Sequence, residues 1–122
     1  MDTSIGRRIA GAALALGLLS GAAFAQFSPN ERQSNAIENI AQVIAGANKC
    51  DDYALNERLV AAVQRFGGFS LTDAETYAYV EGRVLFHAKR IKDRTRDDIC
   101  GAIERLYGVN GTAAPNLAVR VK

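Results

Sequence analysis

Thr95-Arg-Asp-Asp98-Ile99-Cys100-Gly-Ala-Ile103-Glu-Arg-Leu106-Tyr107-Gly108 reads as one complete amphipathic helix. Thr95 is a good N-cap, and Asp97 and Asp98 place negative charge in the first turn, at the positive end of the helix dipole. Ile99, Cys100, Ile103, Leu106 and Tyr107 recur on one face, and Gly108 supplies the stop. Cys100 therefore sits on the inward side of the helix near its start. The only other cysteine, Cys50, follows directly on a second helical pattern. Pairing the two clips the end of one helix to the start of another. The expected architecture is all-α, a small four-helix bundle stapled by one disulfide.

Working outward, three more helices have their own punctuation. The first is expected to open at Ser28-Pro29-Asn30-Glu31, with Ser28 as cap and Glu31 closing a capping box. Behind it Ile37, Ile40, Ala41, Ile44 and Ala47 form an apolar stripe ending near Asn48. The second runs from about Asn56 to Phe66, with Leu59, Val60, Val63 and Phe66 on one side, until Gly67-Gly68 stops it. The third is expected to start from a Thr72/Glu75 capping box and to turn Tyr77, Val80, Val84, Ala88 and Ile91 inward. Gly82 in its middle weakens a helix by up to ~1 kcal/mol relative to Ala, so it is expected to mark a close helix crossing. The helical domain spans 26–108. Residues 109–122 are expected as a flexible C-terminal tail, with one short edge strand as the alternative for Asn116–Lys122.

The N-terminus carries an address. Arg7 and Arg8 precede an apolar run from Ile9 that is too short and too rich in Gly and Ala for a good membrane span. Ala23-Phe24-Ala25 then offers small residues at the −3 and −1 positions of a signal-peptidase site, giving a signal peptide over 1–25 cleaved near Ala25-Gln26. General secretion to the periplasm, or beyond it, is the expected route. The leader takes two of the 15 basic and one of the 13 acidic side chains, leaving 97 residues with a charge of about +1. That balance argues against a globally basic nucleic-acid binder. An oxidising compartment favours the Cys50–Cys100 disulfide, and closing its loop of about 50 residues is worth roughly 4 kcal/mol.

Candidate chemistry is sparse. Arg83, His87, Arg90 and Arg94 fall at steps of four, three and four, near one helical face, and Lys89, Lys92 and Arg96 add charge beside them. This stripe is the candidate anion-binding surface, with an envelope polymer or nucleic acid as the partner considered. The bland alternative is a solvated helix end, where cations belong in any case. His87, the only imidazole, is expected as a partly exposed surface side chain. One histidine and a paired cysteine couple support neither a nucleophilic triad nor a zinc site, so no catalytic residue, cofactor or metal ligand is assigned. The carboxylate pairs Asp51-Asp52, Asp73/Glu75 and Asp97-Asp98 sit at or before helix starts and make a carboxylate-dependent hydrolase the least favoured reading. Tyr79 and Phe86 lie off the inward stripe and are expected to pack on the first helix or to form a patch for a partner.

The run Cys50-Asp-Asp-Tyr53, with Phe66-Gly67-Gly68 and Arg96-Asp-Asp-Ile-Cys100 through Tyr107-Gly108, resembles small exported two-cysteine helical proteins of Gram-negative bacteria. The resemblance covers about residues 50 to 108 and implies a framework with no assigned activity. In size and cysteine separation the plan is also similar to periplasmic acid-stress chaperones. The favoured expectation is a non-enzymatic periplasmic interaction or stress-related protein, with a periplasmic protein, an envelope component or a second copy of the chain as partner.

Overall fold

A computed structural model describes residues 27–122. The signal peptide and its cleavage site, expected at 1–25 and Ala25-Gln26, lie outside them. The described chain folds into four helices and a two-stranded sheet in the order α1 (Glu31–Lys49), β1 (Tyr53–Leu55), α2 (Glu57–Gly67), α3 (Ala74–Arg90), α4 (Arg96–Tyr107) and β2 (Ala118–Arg120). It is mostly helical, as expected, but the sheet makes it more than an all-α bundle. No helix among the described residues is long and apolar enough to cross a membrane.

α1 is the central element. Its N-cap is Asn30, two residues later than Ser28, and the capping box is Asn30 with Gln33. The Gln33 backbone N–H donates to Asn30 Oδ1 at 2.8 Å, and the Asn30 N–H donates to Gln33 Oε1 at 3.0 Å. Gln33 Nε2 also donates to the Gly67 carbonyl at 2.8 Å, so the same side chain ties α1 to the end of α2. Ile37, Ile40, Ala41, Val43, Ala45 and Gly46 are all buried, a wider arc than one stripe. The reason is that α2, α3, α4 and β1 all pack on α1. Small residues permit the closest approach: a Cβ on Gly46 would lie 3.0 Å from Ile103 Cδ1 of α4.

The disulfide joins Cys50, the C-cap of α1, to Cys100 early in α4, with Cα atoms 5.3 Å apart. The core beneath it gathers Ile40, Val43, Val60, Ile99, Ile103 and Tyr107. α2 is capped by Asn56 and ends on Gly68 in the left-handed conformation (φ 70°), as its glycine pair predicts. Thr95 caps α4, its hydroxyl accepting from the Asp98 N–H at 3.1 Å. The Thr72/Glu75 box does not form. Asp73 is the N-cap of α3 and makes no side-chain cap bond, while Thr72 Oγ1 pairs with Ser70 Oγ at 2.7 Å.

Residues 109–122 fold back over the end of α4, so packed structure continues past 108. Ala113 and Ala114 donate to the Leu106 carbonyl, and Asn116 donates to that of Gly108. Leu117 and Ala118 are buried, and β2 pairs antiparallel with β1 in the register Tyr53 to Arg120 and Leu55 to Ala118. Of the two expectations for this segment, the short strand is the one found.

Two aromatic placements differ from expectation. Phe66 follows the apolar angle of α2, but at the last turn no element covers it and it is 82% exposed. Phe69 folds back over Gly67 instead. Tyr77 is exposed as well, because α3 turns Thr76, Val80 and His87 inward, about one residue's rotation away from the apolar stripe.

Candidate functional site

That rotation of α3 is explained at Glu38 of α1. Arg83 Nε donates to Glu38 Oε2 at 2.5 Å and its Nη2 to Oε1 at 3.1 Å, a bidentate pair. His87 Nε2 lies 2.7 Å from Glu38 Oε1. The Arg83 hydrogen bonds hold the Glu38 carboxyl below its usual range, against the opposing pull of burial, and His87 adds to the lowering. The same pair raises the Arg83 guanidinium. His87 is thus a buried, hydrogen-bonded histidine and not the surface side chain expected. The structure brings Arg83 and His87 together through a residue that the spacing argument did not single out.

Arg90 and Arg94 are placed differently. Both border a cleft of about 250 Å³ between α3 and α4. Its floor is α1, at Ala45 and Gly46, where the absence of larger side chains leaves the space. Its walls are apolar: Ile91 follows α3, and Ile99, Ile103 and Leu106 come from α4. Gln42 and Tyr107 add two neutral polar groups to the lining, and the buried His87 also borders the space. The Tyr107 hydroxyl hydrogen-bonds Gln42 Oε1 at 2.7 Å, with Asn39 Oδ1 at 3.2 Å. Burial, assisted by the Glu38 charge, pushes the Tyr107 phenol up to about 12, so it remains a neutral hydrogen-bonding group.

The cationic rim is partly free. Arg94 makes only a long pair with Asp98, at 3.8 Å, with both side chains more than half exposed. Arg90 makes no ion pair among the described residues and lies 5.6 Å from the Phe86 ring. The mouth of the cleft therefore carries positive charge over an interior of aliphatic walls and a few polar groups. Lys49 helps set its shape by donating to the Ile91, Lys92 and Arg94 carbonyls at 3.1, 2.8 and 2.5 Å. These contacts fix the turn after α3 against the end of α1.

The acidic candidates go elsewhere. Arg96 bridges Asp51 and Asp52 at 3.2 and 2.7 Å, and Lys122 reaches Asp51 at 2.5 Å. These bonds, that of Lys122 first, lower the Asp51 carboxyl. Tyr53 donates to Glu104, and Arg120 lies across the Tyr53 ring at 4.9 Å. This surface network fastens the two strands beside the disulfide. Asp52 lies near the Cys50 and Cys100 sulfurs, but their disulfide leaves no thiolate to bind a metal.

Sequence reading missed Glu38 and Gly46. Glu38 had a faint local signal, an acid in the middle of the apolar and amide-rich run from Ser34 to Asn48. Gly46 had one too, as a glycine inside a helical pattern with no turn to serve. No protein-family model, curated protein or solved structure matches the chain, so its functional reading rests on this geometry.

Proposed function

We propose that the protein is an exported, non-enzymatic binding protein whose cleft between α1, α3 and α4 takes a small amphipathic anion. One observation carries the reading: a cavity of about 250 Å³, with aliphatic walls at Ile91, Ile99, Ile103 and Leu106 and polar groups at its ends, opens between Arg90 and Arg94. At ~30 Å³ for each water-sized group, that space suits a short acyl or aryl body of about eight such groups. A carboxylate or similar headgroup at the mouth would meet the two guanidiniums, with Gln42 and Tyr107 as neutral partners deeper in. Export is supported by the leader-like pattern of Arg7-Arg8, an apolar run and Ala23-Phe24-Ala25, and by the disulfide. A non-enzymatic role is supported by how the reactive side chains are occupied: His87 and Arg83 hold Glu38, and Arg96 holds Asp51 and Asp52.

The anion-binding stripe of four residues contracts accordingly to Arg90 and Arg94. An extended polymer needs a row of free cations, whereas a small ligand needs one or two cations over an apolar seat. The test is calorimetric titration with a series of straight-chain carboxylates. Affinity should rise about fourfold for each methylene, near 0.8 kcal/mol, until the cleft is full. It should fall with salt and drop at least ~10-fold in Arg90→Glu/Arg94→Glu. Equal affinity across the series, or binding unchanged in that variant, would remove this function.

A further inference from the structure

The side of α3 that faces away from the cleft has a composition that its own chain does not use. Tyr77, Glu81, Leu85 and Ala88 recur at steps of four, four and three, so they form one stripe, with Lys92 in the turn just past the helix. Tyr77 is 57% and Leu85 63% exposed, and Phe86 beside them is also exposed. Gly82 lies on this face, in the middle of the helix, with open space where its Cβ would be. The crossing expected at Gly82 is therefore not made by any of the described residues. A helix that gives up stability at an exposed glycine, among exposed apolar side chains, is shaped for close approach by something outside it.

We propose that two copies of the chain associate through this face, their α3 helices crossing antiparallel at Leu85. A twofold contact requires the surface to complement itself, and this one does. Residues equally distant on either side of Leu85 meet across the axis. Gly82 of one copy then faces Ala88 of the other, which allows the backbones to come close. Glu81 of one copy faces Lys89 of the other, and symmetry makes that ion pair twice. Neither Glu81 nor Lys89 has an ion-pair partner in its own chain among the described residues. Leu85 packs on its own equivalent at the centre. A parallel crossing would set Lys89 near Lys89 and Glu81 near Glu81. The clefts stay open in the antiparallel pair, because Arg90 and Ile91 lie on the other side of the helix.

One helix from each chain covers less than the ~800 Å² per partner of a standard interface, so the dimer should be weak, roughly 10–100 µM. The test is sedimentation equilibrium on protein recovered from an export-competent host expressing the full chain. A monomer–dimer equilibrium in that range is expected, weakened at least ~10-fold by Leu85→Glu. Glu81→Lys and Lys89→Glu should each weaken it, and the double exchange should restore it. Gly82→Ala should raise the thermal midpoint while weakening association, two effects of opposite sign that a general folding defect cannot produce. A protein monomeric up to about 1 mM, or a dimer that neither Leu85→Glu nor the single charge exchanges disturb, would overturn the proposal.

Discussion

Glu38 concentrates the local chemistry of the fold in one side chain. It accepts from Arg83 and meets His87, so it fixes which face of α3 turns inward. Its carboxyl is lowered from an ordinary value of 4.5, so the charged form is favoured by folding. The stability this contributes is present above the ordinary value and is lost as pH falls through the folded value. Glu38→Gln should therefore cost about 1–3 kcal/mol at neutral pH and flatten the decline in stability below about pH 4.5, read by urea unfolding at a series of pH values. Gly46 acts through size alone. Gly46→Val sets new atoms against Ile103 and should destabilise by about 1–3 kcal/mol while closing part of the cleft floor. Single residues were legible in sequence where the signal is local. The Thr95 cap and the glycine stop at Gly67-Gly68 each follow from a short run of chain. Glu38 and Gly46 stand out locally, but their roles depend on residues 45 or more positions away, and no local pattern names those partners.

Among the elements, the helices were legible, the last strand was legible only as an alternative to a flexible tail, and the strand at Tyr53–Leu55 was not legible. A stripe with a period near 3.6 identifies each helix, but three-residue strands such as Tyr53–Leu55 and Ala118–Arg120 are too short for alternation to mark them. The orientation of α3 was misread because its buried side includes Thr76 and His87, polar residues whose burial is compensated by partners on α1. Hydropathy favoured a stripe rotated by about one residue, which turns Tyr77 inward, whereas Tyr77 is exposed and Val80 alone of that stripe is buried. Two element-level outcomes follow. Lys49→Met removes a charged donor from the carbonyls after α3, so amide exchange should accelerate through the last turn of α3 and residues 91–94 while α2 is unaffected. Leu117→Ala should cost about 2–4 kcal/mol, because the last segment is part of the core and Leu117 is buried beside β1. A loose tail would tolerate that change within about 0.5 kcal/mol in chemical denaturation.

At the scale of the molecule, one central helix carries three others, and a single disulfide holds the end of α1 to α4. Replacing Cys50 and Cys100 by Ser should cost about 2–4 kcal/mol, measured as a lower urea midpoint with little change in slope. Both α3 and α4 rest on α1, and small residues on α1 leave room between them. The ligand cleft is therefore a consequence of the fold's layout and not of a sequence motif, which is why the sequence showed its cations and not its cavity. The central claim is that this cleft receives an amphipathic anion with its headgroup at Arg90 and Arg94. The direct measurement is a titration of isotope-labelled protein with octanoate, with octylammonium as the charge-reversed control, followed by amide chemical shifts. Octanoate should saturably move the resonances of Ala45, Gly46, Ala102 and Ile103, and octylammonium should not. Equal shifts with both probes, or octanoate shifts confined to the outer face of α3 around Leu85, would contradict it.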